Sequence, residues 1–328
     1  MKLQHIIGAD LSKESIDFLF HDRNTHLKTE NGNVGFQQLL KWFSEQKINC
    51  SDAMIVMEHT GLYSYHLEAF LHKHHIAFAK VPALAIKKSL GLVRGKNDKV
   101  DAKRIARYGF EKKDVLVTEP PPDKVLLRLK LLHSSRQRLV RLRTSLKSAV
   151  TALRGIVGAS DLIITSHRRL IKDFTDQIKR IEAEIKEVRS QHTSISFNTK
   201  LLQSVKCVGE VVSTATIIRT HNFTRFANGR KFSCYCGTAP FEHSSGKSIR
   251  RKTKVSHLAD KEMKTLLDRC ACSAIQHDKE LKAFYERRLA LGKSKQSTIN
   301  IVRNKIIYRM FAVIKRQTPF VDKYLKTA

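Results

Sequence analysis

The chain has 328 residues, with 61 lysines and arginines against 30 aspartates and glutamates, a net charge of +31 and a pI near 10.1. With 41% hydrophobic residues it can form two or three cored domains, which excludes a simple basic tail, and its field attracts polyanions. No run approaches the roughly 18 consecutive apolar residues of a membrane span, the first residues lack the apolar core of a signal peptide, and six cysteines do not make a disulfide scaffold, so a cytoplasmic protein is expected.

Two short apolar runs open the chain, Ile6-Ile7-Gly8-Ala9-Asp10 and Ala53-Met54-Ile55-Val56-Met57-Glu58. Each has the character of a buried strand and each ends on an acid. Phe36, Leu39, Leu40 and Phe43, then Leu67, Phe70 and Leu71, predict helices between and after them, which gives an α/β first domain. The proline run Pro120-Pro121-Pro122 ends it, so the domain is expected over residues 1–122.

From Leu126 to Val157, leucines and valines recur mostly three and four apart, and Ile171, Phe174, Ile178, Ile181, Ile185 and Val188 alternate strictly. This predicts an antiparallel coiled-coil hairpin over 123–195, turning near Gly155–Ser160. Residues 124–160 hold nine basic and no acidic side chains, a pattern that favours a nucleic acid or an acidic partner. Residues 196–328 carry 27 basic and 9 acidic groups, the main electrostatic footprint. There, Ser204–Ala215 has the look of a helix–hairpin–helix, Asn222–Gly246 reads as turn-rich, and helices are expected around 260–275 and 296–316. Cys270 and Cys272 stand two apart in a helical stretch and point in different directions, so the cysteine pairs read as buried small residues and not as zinc ligands.

Four acids are candidates for chemistry. Asp10 and Glu58 end strands, and Asp98 and Asp101, three apart, share one helix face if Lys96–Arg107 is helical. RNase H-like domains hold two divalent ions with this arrangement. Like charges a few Å apart disfavour joint ionisation, and two Mg²⁺ about 3.5–4 Å apart would reverse that and clamp a phosphodiester. The plainer reading makes Asp98 a helix-dipole acid and Asp101 a partner of nearby Lys or Arg. A second candidate is Ser244-Ser245-Gly246, followed by Lys247, Arg250, Arg251, Lys252 and Lys254 before the next acid, Asp260. Either serine could attack a phosphodiester with those cations stabilising the charge, and a phosphate-contact turn is the simpler account. Lys96, Lys103 and Arg104 add a basic face beside the acids.

Gly8-Ala9-Asp10, Met57-Glu58-His59-Thr60-Gly61-Leu62-Tyr63, Lys96-Asn97-Asp98-Lys99-Val100-Asp101-Ala102 and Gly237-Thr238-Ala239-Pro240 with Ser244-Ser245-Gly246 resemble, in order, the signatures of the DEDD insertion-sequence transposases. This is the family of insertion sequence one-ten and the pilin-gene invertase. The resemblance implies a RuvC-like (RNase H-like) N-terminal domain with Asp10, Glu58, Asp98 and Asp101 as a Mg²⁺ (or Mn²⁺) tetrad. It also implies the coiled-coil hairpin and a mainly α-helical transposase domain over 196–328 with a catalytic serine, Ser245 or its neighbour Ser244. The implied partners are donor and target double-stranded DNA, a noncoding bridge RNA and further copies of the chain in a tetramer, a dimer of dimers, in the bacterial cytoplasm or nucleoid and without a membrane. Two rival readings are a RuvC-like, structure-selective endonuclease that uses metal hydrolysis alone, and a non-enzymatic basic RNA-binding or architectural protein.

Overall fold

The computed structural model describes residues 4–59, 61, 63–91, 97–121, 123–154, 156, 161–245 and 249–322, without the side chains of 243–245 and 249–252. It divides into two compact units, Met1–Pro121 and Pro122–Ala328. Of the residues expected to act, Lys96 and Lys247 lie outside the described residues, as do the side chains of Ser244, Ser245, Arg250, Arg251 and Lys252.

Among the described residues the first unit holds a five-stranded mixed sheet. Its strands are β1 (His5–Leu11), β2 (Ser15–Phe20), β3 (His26–Glu30), β4 (Ala53–Glu58) and β5 (Ala77–Val81), in the order β3-β2-β1-β4-β5. β1, β4 and β5 run parallel, whereas β2 and β3 pair antiparallel on the other side of β1. Only β1 and β4 follow from the apolar runs. β3 is a half-exposed strand with polar residues, and β2 interrupts its apolar run with Asp17, so neither carries the signature of a buried strand.

The strand period of two sorts the side chains. Ile7, Ala9, Ile55 and Met57 face one core with Phe36, Leu39 and Phe43 of α1 (Asn33–Glu45) and Leu67 and Leu71 of α2 (Tyr65–Lys73). Ile6, Met54 and Val56 face the opposite core, which also takes Ile86 of α3 (Ala83–Ser89) and Ile105 of α4 (Asp98–Lys112). By parity Asp10 and Glu58 belong to this second face, at the carboxyl ends of neighbouring parallel strands, one step beyond the pair Ala9–Met57.

Helix α4 reaches unusually close to β1. A Cβ at Gly8 would lie 2.2 Å from the Ala102 carbonyl oxygen and 2.3 Å from the Ala106 nitrogen, and one at Gly109 would lie 2.7 Å from Val56 Cγ2. Ala102 and Ala106 are fully buried, so the contact face of the helix is a line of small residues along which backbone meets backbone. Gly8→Ala is expected to push α4 off the sheet and lower stability by about 1–3 kcal/mol, as overpacking does. A denaturant melt would show it as a shifted midpoint at unchanged slope.

In the second unit α5 (Lys124–Leu153) and α6 (Asp161–Ser190) pack side by side. Arg128 bonds Glu184 at 2.9 Å, Arg136 bonds Glu182 at 2.7 Å and Arg143 bonds Thr175 at 3.3 Å; partner numbers fall as the first numbers rise, so the pair is antiparallel. Most of the expected turn near Gly155–Ser160 lies outside the described residues. Leu129, Ile185 and Val188 join a core formed with α7 (Thr193–Ser204), α8 (Glu210–Thr220), α9 (Gly229–Tyr235), α10 (Lys261–His277), α11 (Lys279–Ala290) and α12 (Lys295–Arg316). Val302, Ile306, Ile307, Met310 and Val313 of α12 have no exposure and form its centre.

The stretch read as turn-rich contains α9 and the start of a two-stranded antiparallel ribbon, β6 (Pro240–Ser245) with β7 (Ile249–Val255). A run of serines, lysines and arginines hides a strand because it lacks the apolar alternation that marks one, and here the backbone pairing of β6 with β7 defines it. Helices α7 and α8 do flank the glycine-containing turn Val205–Gly209. The first residue of α8, Glu210, pairs with the buried Arg189, so a carboxylate already stands at that helix's positive end.

Candidate active site

Asp10, Glu58, Asp98 and Asp101 line one cavity of about 650 Å³ in the first unit. The strands bring the first two to one sheet end. The helix brings the other two, both in the first turn of α4, where the Asn97 side chain accepts from the Val100 N–H at 2.8 Å and fixes where the helix begins. The close seat of α4 on Gly8 holds the two pairs together. Burial, then the charges of Asp101, Asp98, Glu58 and Asp17, push the Asp10 carboxyl up to about 6 from its ordinary 3.8. Carboxylates from distant parts of the chain thus meet around a single cavity, and their charges oppose the ionisation of Asp10.

All four donors are hard oxygens, the chemistry that Mg²⁺ or Mn²⁺ takes. Among the described residues no group of three or more His, Cys, Asp or Glu side chains is placed to hold a metal ion by itself. An Mg²⁺ can be held by one or two carboxylates together with water and substrate phosphate, and the acids lining this cavity are donors of that kind.

Four residues that sequence reasoning passed over belong to this neighbourhood. Asp17 is buried on β2 directly opposite Asp10 in the antiparallel register. His26 Nε2 lies 2.7 Å from Asp17 Oδ1, and the Lys28 ammonium stands 3.5 Å from Asp17 Oδ2 and 3.7 Å from Asp98 Oδ2. The lone signal in the sequence was an aspartate inside the apolar run of β2. Lys87, exposed on α3, also lines the cavity.

Of the residues expected to hold nucleic acid, Lys103 is exposed on α4 and Lys254 is exposed on β7, opposite Phe241. Arg104 is half-buried and donates to Asp101 Oδ1 at 2.7 Å. The backbone of β6 carries Ser244 opposite Arg250 and Ser245 opposite Ile249. All six cysteines are free. Burial pushes the Cys270 thiol up to about 12, as suits an inert core residue.

Residues 7–155 match the model of a DEDD transposase domain, and residues 199–286 match the model described as "Transposase IS116/IS110/IS902 family". Over 323 residues the chain is 25% identical to the pilin gene-inverting proteins of Moraxella lacunata and Moraxella bovis, covering 96% of this chain and 97% of each relative. It is also 26% identical over 163 residues to a probable family 20 transposase of Pseudomonas aeruginosa, 42% of this chain and 47% of that one. The chain belongs to the IS110 family of insertion-sequence transposases.

Proposed function

We propose that the protein is the recombinase of a mobile element, cutting and rejoining donor and target DNA under the guidance of a noncoding RNA. The first unit is read as a RuvC-like domain, α5 and α6 as its coiled-coil hairpin, and the rest as the transposase domain, in a tetramer acting in the cytoplasm. No helix among the described residues is long and apolar enough to cross a membrane. The observation that carries the reading is the gathering of Asp10, Glu58, Asp98 and Asp101 around one cavity.

In this reading the four carboxylates hold Mg²⁺ or Mn²⁺, which when bound supplies Lewis-acid charge for the phosphate oxygens. The Ser245 hydroxyl attacks the phosphorus and gives up its proton. The bond from phosphorus to one ribose oxygen breaks, that oxygen takes up a proton, and a phosphoserine ester links protein to DNA. A ribose hydroxyl of the other duplex then displaces the serine by the reverse exchange. Bond number is kept throughout, which suits rejoining without an external energy source, whereas hydrolysis would release the ends. A relative named for inverting a gene supports rejoining over cutting, because inversion requires every severed end to be sealed. Lys254, the neighbouring cations of β7 and Lys103 would meet phosphates, with binding that weakens steeply in salt.

The test combines purified protein, donor and target plasmids and the RNA transcribed from beside the gene. Sequenced donor–target junctions are expected with Mg²⁺ and none after EDTA. Nicked plasmid without junctions would identify a hydrolytic nuclease, and junctions formed equally well without the RNA would remove its guidance.

A further inference from the structure

The β6–β7 ribbon leaves the helical unit through a narrow neck, and both sides of that neck are hydrogen-bonded to residues of the helical unit. On the incoming side stands Thr238, fully buried, two residues before β6. Its carbonyl accepts from Asn300 Nδ2 at 2.8 Å and from Asn304 Nδ2 at 2.9 Å, and its hydroxyl donates to Asn304 Oδ1 at 2.7 Å. Asn300 and Asn304 are four apart and so share one face of α12. Arg303 donates to the Asn300 Oδ1 at 3.3 Å, which orients that amide with its nitrogen toward Thr238.

On the outgoing side stands Asp260, the N-cap of α10. Its Oδ1 accepts from the Met263 N–H at 2.7 Å, and its Oδ2 accepts from Arg219 Nε at 2.8 Å and from the Tyr235 hydroxyl at 2.9 Å. The two sides also touch: a Cβ at Gly237 would lie 2.4 Å from the Ala259 Cβ. Gly237, at φ +65, therefore serves both the turn out of α9 and the close approach of the two chain segments.

The exposed part of the ribbon makes this neck matter. Phe241, Glu242, Thr253 and Lys254 are exposed, so burial of those positions does not fix the ribbon's direction. Between the pairs Phe241–Lys254 and His243–Arg251 one residue of β6 faces two of β7, a bulge of the kind that bends and re-aims a ribbon. At about 3.3 Å per residue, Ser245 stands about 17 Å beyond Pro240, so a tilt of about 10° at the neck displaces it by about 3 Å. A misplacement of about 1 Å can cost a reaction around 100-fold.

We propose that Asn300 and Asn304, through Thr238, and Arg219 and Tyr235, through Asp260, are positioning residues that aim the serine-bearing ribbon for strand transfer. The inference rests on the serine reading above, and its test separates the two. Hydrogen exchange of the ribbon amides is compared in the wild type, in Asn300→Ala/Asn304→Ala and in the conservative Tyr235→Phe, beside single-turnover formation of protein–DNA adduct. The asparagine variant should show ribbon exchange about tenfold faster or more, with α12 amides outside the substituted turn unchanged. Its adduct rate should fall about tenfold or more while DNA affinity stays within about twofold. Tyr235→Phe, which removes one hydroxyl and keeps the packing, should move both quantities in the same direction by less. Ribbon exchange equal to wild type in both variants would overturn the proposal, and so would faster exchange with an unchanged adduct rate. If the asparagine variant does not fold, Tyr235→Phe alone decides by the same criteria. Faster ribbon exchange in a protein whose wild type forms no adduct at all would leave the neck as the ribbon's anchor and remove the serine reading.

Discussion

Ser245→Ala is expected to abolish covalent protein–DNA adducts and recombinant junctions together, leaving DNA and RNA binding at wild-type strength. An ester between protein and DNA needs an oxygen nucleophile that can leave again, and the methyl group of alanine offers none. Binding depends on charge spread over many cations, which this substitution does not touch. Denaturing gels of protein mixed with labelled substrate read the adduct directly, and Ser244→Ala supplies the matched control. Adducts that survive Ser245→Ala and vanish in Ser244→Ala would move the nucleophile by one residue. Adducts indifferent to both would remove serine from the mechanism.

Asp10→Asn is expected to cut strand transfer by about a thousandfold or more while sparing affinity for DNA. Loss of metal-borne charge stabilisation worth several kcal/mol corresponds to at least that factor. The same substitution should raise the stability of the metal-free protein at neutral pH. Asp10 titrates near 6 in the folded chain against 3.8 ordinarily, so the native state holds this proton more tightly than the unfolded state does. Its contribution to stability is therefore full below about pH 4 and is lost as pH rises through about 6. Asparagine carries no such charge. Melting temperatures at pH 7.5 with EDTA should rank Asp10→Asn above wild type, and excess Mg²⁺ should raise wild type alone. An Asp10→Asn protein that melts no higher in EDTA, or gains as much from Mg²⁺, would count against a metal seat at this cavity.

Much of this could be read from the residues because it is local. Asp10 and Glu58 announce themselves as acids closing apolar runs, and Asp98 and Asp101 as a helical pair. The α/β character of the first unit and the helical character of the second follow from periodicity. What stayed hidden depends on contacts between distant positions. Asp17 looks like any polar interruption of a strand until the antiparallel register sets it opposite Asp10. The pairing of Arg104 with Asp101, by contrast, is local, one helical turn apart, and agrees with the plainer reading of Asp101 as a partner of a nearby cation. Asn300 and Asn304 resemble ordinary surface residues of an amphipathic helix, because nothing in their own neighbourhood reveals that a buried threonine some sixty positions earlier takes up their hydrogen bonds. The serine-bearing ribbon has a composition that reads as loop because its strands are held by pairing with each other.

The missing methyl at Gly8 has a consequence beyond packing. The cavity's acids come half from the sheet and half from α4, so the distance across it depends on how closely helix and sheet meet. That spacing is about the smallest two backbones permit, with glycine on one side and alanines on the other. In the metal-bound reading proposed above, discrimination between ions of different radius, such as Mg²⁺ and the larger Ca²⁺, would be inherited from the core, and a single carbon added at Gly8 would retune it.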